Sequence, residues 1–128
     1  MIFPIYPEHI EGVWPVAGPE LQRAFQLSEQ EDADNHLPAL LFDQEQLWKI
    51  HETGWALTRV VSTKSGWVLE IIAIAGMGLE QWGDEFFAQI EGWAKSKGCT
   101  KVIATGRPGW ERRAPGYKAQ RITFVKEL

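Results

Sequence analysis

The chain has 128 residues, 45% of them hydrophobic and 23% charged. That length suits one domain with a sizeable buried core, and the composition excludes disorder, coiled coil and collagen-like repeats. One cysteine, Cys99, excludes an internal disulfide and a cysteine-based zinc cluster, and suits a reducing compartment. No apolar run approaches the roughly 18 residues of a membrane span, and residues 1–7 lack the basic region of a leader, so neither a span nor a signal peptide is expected.

The net charge of −4 hides an asymmetry: residues 1–94 carry four basic and fifteen acidic side chains, residues 95–128 nine basic and two acidic. Such polarity steers an anionic partner to one end, or pairs a basic face with an acidic one inside one fold. The acidic remainder argues against a general binder of nucleic-acid backbones. The seven tryptophans are expected as core or interface anchors.

In chain order, residues 7–14 are predicted as a helix that Pro15 and Pro19 interrupt. Leu21, Ala24, Phe25 and Leu27 have helical spacing over residues 20–27. An acidic surface loop follows at 28–35, with Asn35 a candidate cap for a short helix over 37–42. Residues 46–52 and 55–62 read as strands separated by the turn Thr53-Gly54, and residues 63–66 turn again. The next strand, 67–75, is apolar at Trp67, Leu69, Ile71 and Ala73 and also at Val68, Ile72 and Ile74. Only Glu70 breaks the pattern. A strand apolar on both faces is covered on both faces, so this one is predicted to be central.

Gly76-Met77-Gly78 ends that strand. A helix is predicted from Leu79 to about Lys97, with Leu79, Trp82, Phe86, Ile90, Trp93 and Ala94 on one stripe, Lys95 and Lys97 in the last turn, and Gly98 as the stop. Residues 101–105 form a short buried strand. Strand, helix and strand in so short a span make a crossover, so 67–75 and 101–105 should run parallel. A short helical turn over 106–117 and a last strand at 121–125 complete the chain. The expected fold is α/β: a single domain over residues 1–128, with a mixed central sheet (an antiparallel meander plus one parallel crossover strand) flanked by helices.

This layout resembles the GCN5-related N-acetyltransferase superfamily, best from Leu47 to Leu128. Glu70-Ile71-Ile72-Ala73-Ile74-Ala75 looks like the family's central fourth strand. Gly76-Met77-Gly78-Leu79 opens the long helix where the family has Arg/Gln-x-x-Gly-x-Gly/Ala. Residues 106–117, ending in Gly116-Tyr117, look like its late short helix. The tail is also similar to small acetyltransferase-like proteins encoded by bacteriophages, some of them virion components. The resemblance implies that the pyrophosphate of acetyl-CoA lies on Ala75, Gly76, Met77, Gly78 and Leu79, with no metal. It implies Glu70 as general base on an acceptor amine and Tyr117 as proton donor to the leaving thiolate. It also implies a bulge in the fourth strand that frees backbone donors. The sequence departs from the pattern at Ala73, where the family has Arg or Gln, and at Arg112, where its tyrosine usually lies. The turn holds no basic residue.

Each candidate has a structural alternative. Glu70 has a possible ion-pair partner in Arg59 on the neighbouring strand. The ring of Tyr117 is a packing group. Arg107, Arg112 and Arg113 are candidate contacts for an anion or a partner, or else a solvated face. His9, His36 and His51 have no metal spacing and are expected at surface or edge positions. Cys99 is expected as a core thiol. Two functions follow: an acyl-CoA-dependent N-acyltransferase acting on an unknown amine, or a non-catalytic protein of the same fold that binds phage structural proteins in a virion. Neither involves a membrane.

Overall fold

The fold is described from a computed structural model that covers residues 1–25, 32–104, 116–118, 126 and 128. Five strands form one sheet in the order β1 (Ile2–Ile5), β2 (Gln46–Ile50), β3 (Gly54–Thr63), β4 (Gly66–Ala75) and β5 (Cys99–Ala104). The first four pair antiparallel in succession, and β4 pairs parallel with β5. Helix α1 (Ile10–Phe25) and the short α2 (Leu37–Leu41) cover one face, and α3 (Leu79–Ser96) covers the other. The crossover from β4 through α3 to β5 is therefore as the sequence predicts, and β4 is an interior strand.

The strand pleat divides two cores. Leu69 and Ile71 of β4 pack with Phe86, Phe87, Ile90 and Ala94 of α3. Leu47 and Leu57 pack with Ile10, Leu21 and Leu40 under α1 and α2. Phe86 is wholly buried, and cutting it to alanine would cost about 3–5 kcal/mol.

Three details correct the sequence reading. Pro15 and Pro19 do not interrupt α1, which runs unbroken from Ile10 to Phe25. Both prolines lie on its exposed side, opposite buried Trp14, Ala17, Leu21 and Phe25. The carbonyls that lose their N–H partners there are open to water, and tertiary burial of the other face outweighs the local penalty. Asn35 is not the cap of α2. A 3-10 turn over Ala33–His36 leads into it, and Asp32 caps that turn by accepting from the Asp34 amide at 3.1 Å. An extra strand, β1, lies on the sheet edge against β2, with Ile2 opposite Ile50; Pro4 is tolerated there because an edge strand leaves one row of N–H groups unpaired. The short helical turn predicted over 106–117 falls mostly, and the last strand at 121–125 wholly, outside the described residues. So do Arg107, Arg112 and Arg113.

Candidate functional site

The site is built where β4 ends. Leu57 faces Ala73 while Thr58 faces Ile71, so Ile72 is an extra residue, a bulge in β4. The bulge changes the phase of the strand. Leu69 and Ile71 face α3, whereas Ile72 and Ala73 both lie on the α1 side and Ile74 returns to the α3 side. In the parallel pairing with β5, Ile71 lies opposite Ala104. Among the described residues, the register with β5 is followed as far as Ala104, level with the residue just before the bulge.

Beyond Ala75 the chain turns through Gly76 (φ 108°) and Gly78 (φ 95°) into α3. The Met77 carbonyl between them accepts two hydrogen bonds, from the Thr53 hydroxyl at 3.0 Å and the Trp82 indole N–H at 2.9 Å. A trans peptide is planar, with its C=O and N–H pointing opposite ways. Tying the Met77 oxygen inward therefore aims the Gly78 N–H outward. The Gly78 carbonyl accepts from the Gln81 and Trp82 amides at 2.8 and 3.1 Å, which closes the first turn of α3. The Met77 side chain itself is exposed. Sequence reasoning missed Thr53 and Trp82; the turn signal at Thr53-Gly54 and the placing of Trp82 one helical turn beyond Gly78 are the clues that could have found them.

Glu70 lies two residues before the bulge, directly opposite Arg59 on β3. The Arg59 Nε donates to Glu70 Oε1 at 2.5 Å. The Glu70 side chain is 23% exposed, so it is paired yet reachable from solvent. Standing between Leu69 and Ile71, it points to the α1 side of the sheet. Tyr117 is elsewhere. Its ring packs on Phe87 in the α3-side core, and its hydroxyl donates to Glu91 at 3.0 Å. Burial first, then the Glu91 hydrogen bond and charge, push its phenol above the ordinary tyrosine range, so the proton stays on. The structure thus brings Glu70 near the bulge and gathers Ala75, Gly76, Met77, Gly78 and Leu79 at the turn, but sets Tyr117 on the opposite face from Glu70.

The histidines fall in two kinds of place. His51 is at the surface, 2.8 Å from Glu85. His36 is buried, contrary to the surface or edge position expected. Its ring stacks on Phe25, and its Nδ1 meets Glu45 at 2.8 Å, which satisfies it inside the core. Cys99 is half-buried at the start of β5, where desolvation raises its thiol pKa. Among the described residues, no three His, Cys, Asp or Glu side chains form a metal-binding group, and no helix is long and apolar enough to cross a membrane.

A five-stranded mixed sheet with a bulged fourth strand, and a glycine turn leading into a long helix, matches the fold of the GCN5-related N-acetyltransferases. Solved acetyltransferases share it along the whole chain. A probable acetyltransferase superposes with a TM-score of 0.73 at 9% identity, covering 100% of this chain and 96% of its own. An aminoglycoside acetyltransferase from an uncultured soil metagenomic sample gives 0.68 at 12%, covering 100% and 95%. The aminoglycoside N-acetyltransferase AAC(6')-Iy in complex with CoA gives 0.64 at 14%, covering 99% and 93%. At these identities the likeness establishes the fold and leaves function to the site. No protein-family model matches the chain, and no curated protein matches it in sequence.

Proposed function

We propose that the protein is an acyl-CoA-dependent N-acyltransferase. The observation that carries this reading is the tethered Met77 carbonyl, which turns the Gly78 N–H outward at the positive end of an 18-residue helix. Backbone donors at a helix N-terminus recognise a pyrophosphate without a basic side chain, so the absence of one in the turn does not argue against binding. Gly76, exposed and without a side chain, lets a ligand approach the backbone of the same turn. Acetyl-CoA, when bound, supplies an activated acyl group and leaves as the thiol.

In this reading the amides of Gly78 and Leu79 hold the pyrophosphate, and Ala75, Gly76 and Met77 shape the turn around it. The bulge at Ile72 interrupts the ladder between β3 and β4, and the backbone there would offer donors to a thioester carbonyl. Glu70 accepts the proton of the acceptor amine from the α1 side, directly or through one water. Tyr117 serves as an anchor between the C-terminal segment and α3, because its phenol is committed to Glu91. Aminoglycosides, named as substrates of two of the fold neighbours, are the first amines to assay. The phage-like tail bears on the source of the protein and adds nothing to this chemistry.

Titration calorimetry with acetyl-CoA tests the reading. Saturable heat that Gly78→Val removes is expected; no heat at millimolar ligand would discard it.

A further inference from the structure

A cavity of about 480 Å³ opens at the end of the sheet remote from the glycine turn, between the start of β4 and the last turn of α3. The residues lining it include the aromatic Tyr6, Trp67 and Trp93, the acidic Asp43 and Glu45, and Lys97. Tyr6 and Trp67 are more than half exposed, while Trp93 is half-buried and held edge-on by Trp48 at 5.2 Å between ring centroids. Glu45 is a buried carboxylate, only 8% exposed. Its Oε1 meets His36, whose ring stacks on Phe25.

The chain itself shows which charge suits this wall. The Lys97 ammonium sits 5.6 Å from the centre of the Trp93 ring, within cation–π range. Aromatic faces beside acidic side chains attract cations. We propose that this cavity binds a small organic ammonium ion, its charged head against Trp67 and Trp93 and near Asp43. Lys97 is then a competitor on the rim. The site shares no residue with the glycine turn, Glu70 or Arg59, so it stands apart from the acyltransferase reading.

The test uses choline and its neutral isostere 3,3-dimethylbutan-1-ol, with the indole N–H signals of Trp67 and Trp93 followed by NMR. The indole of Trp82, bonded to the Met77 carbonyl at the other end of the sheet, is the internal reference. Choline should shift Trp67 and Trp93 saturably and leave Trp82 alone, and the alcohol should do neither. Trp67→Ala and Asp43→Asn should each weaken choline binding about 3- to 10-fold. Both positions are exposed, and asparagine tolerates the left-handed backbone at residue 43 (φ 59°). Lys97→Met should tighten it. An equal response to the alcohol, no saturable shift, or indifference to both weakening variants would overturn the proposal. So would weaker binding by Lys97→Met.

Discussion

Gly76 and the Thr53 carbonyl oxygen meet so closely that a Cβ on Gly76 would overlap it. The same atom would stand 2.8 Å from the Gly54 Cα. The β2–β3 turn is thereby locked against the exit of β4. The Thr53 hydroxyl adds its bond to the Met77 carbonyl, so one turn fixes both the path and the peptide orientation of the next.

Gly76→Ala should therefore destabilise the protein more than Gly78→Ala. Both positions have left-handed φ values, which cost a side chain roughly 1–3 kcal/mol. At Gly76 the obstruction is backbone and cannot move. At Gly78 it is the side chains of Trp82 and Gln81, at 3.0 and 3.1 Å. Gly12→Ala and Gly92→Ala, in helices with nothing within 4 Å of the new methyl, should raise stability by about 0.4–1 kcal/mol. Thermal unfolding of the four variants checks the order. If Gly76→Ala proves no worse than Gly78→Ala, the lock is wrong.

How much of this was legible follows from the range of the interactions. The run of apolar residues from Trp67 to Ala75, the two glycines and the stripe of α3 are local signals, and they place β4, the turn and the crossover correctly. The pairing of Arg59 with Glu70 is also legible, because both lie equally far from the turn between Thr63 and Gly66. A bulge in the fourth strand is what the resemblance implies and the register shows, but its place at Ile72 is not legible, since no residue type marks it. β1 is invisible locally because Ile2 finds Ile50 across 48 positions of chain. The continuity of α1 through two prolines depends on which face is buried, which propensity alone cannot tell.

The ion pair between Arg59 and Glu70 should matter to chemistry and little to stability. Arg59 is 44% exposed, and exposed pairs contribute about 1 kcal/mol or less. Glu70→Gln is expected to leave Tm within a few degrees, to leave acetyl-CoA binding unchanged, and to slow acyl transfer about 10²- to 10⁴-fold. Calorimetry and a thiol-release assay separate these effects. Full activity in Glu70→Gln would remove the proposed base and leave the turn untouched.

Tyr117→Phe examines the opposite assignment. Losing the hydrogen bond to Glu91 should cost about 1 kcal/mol, with transfer activity retained. Transfer slowed a hundredfold or more at unchanged Tm would instead make the phenol a proton donor. There is also a pH signature. The folded state holds the Tyr117 proton above the ordinary pKa of 10.0, where the unfolded chain releases it. The unfolded state then binds fewer protons, so stability is intact below about pH 10 and falls as pH rises past it. Tyr117→Phe should flatten that alkaline decline, measured by denaturant unfolding between pH 9 and 11.

Thr58, fully buried on β3 beside the bulge, links two polar groups inside the α3-side core. Its hydroxyl accepts from the Trp48 indole at 2.9 Å and donates to the Gln46 side-chain oxygen at 2.9 Å. Thr58→Val keeps the shape and strands the indole N–H, a loss of about 1–3 kcal/mol. Gln46 is half-buried and recovers water more readily, so the tryptophan side should dominate. A double-mutant cycle with Trp48→Phe isolates that pair from the ring's own packing loss, and should return a coupling of about 1 kcal/mol. Additive losses would mean that the hydroxyl acts mainly through Gln46. The turn between β1 and α1, whose Ile5, Tyr6 and Pro7 line the same cavity as Gln46, would then be the element to loosen first, and hydrogen exchange of the Ile5 and Tyr6 amides would report it.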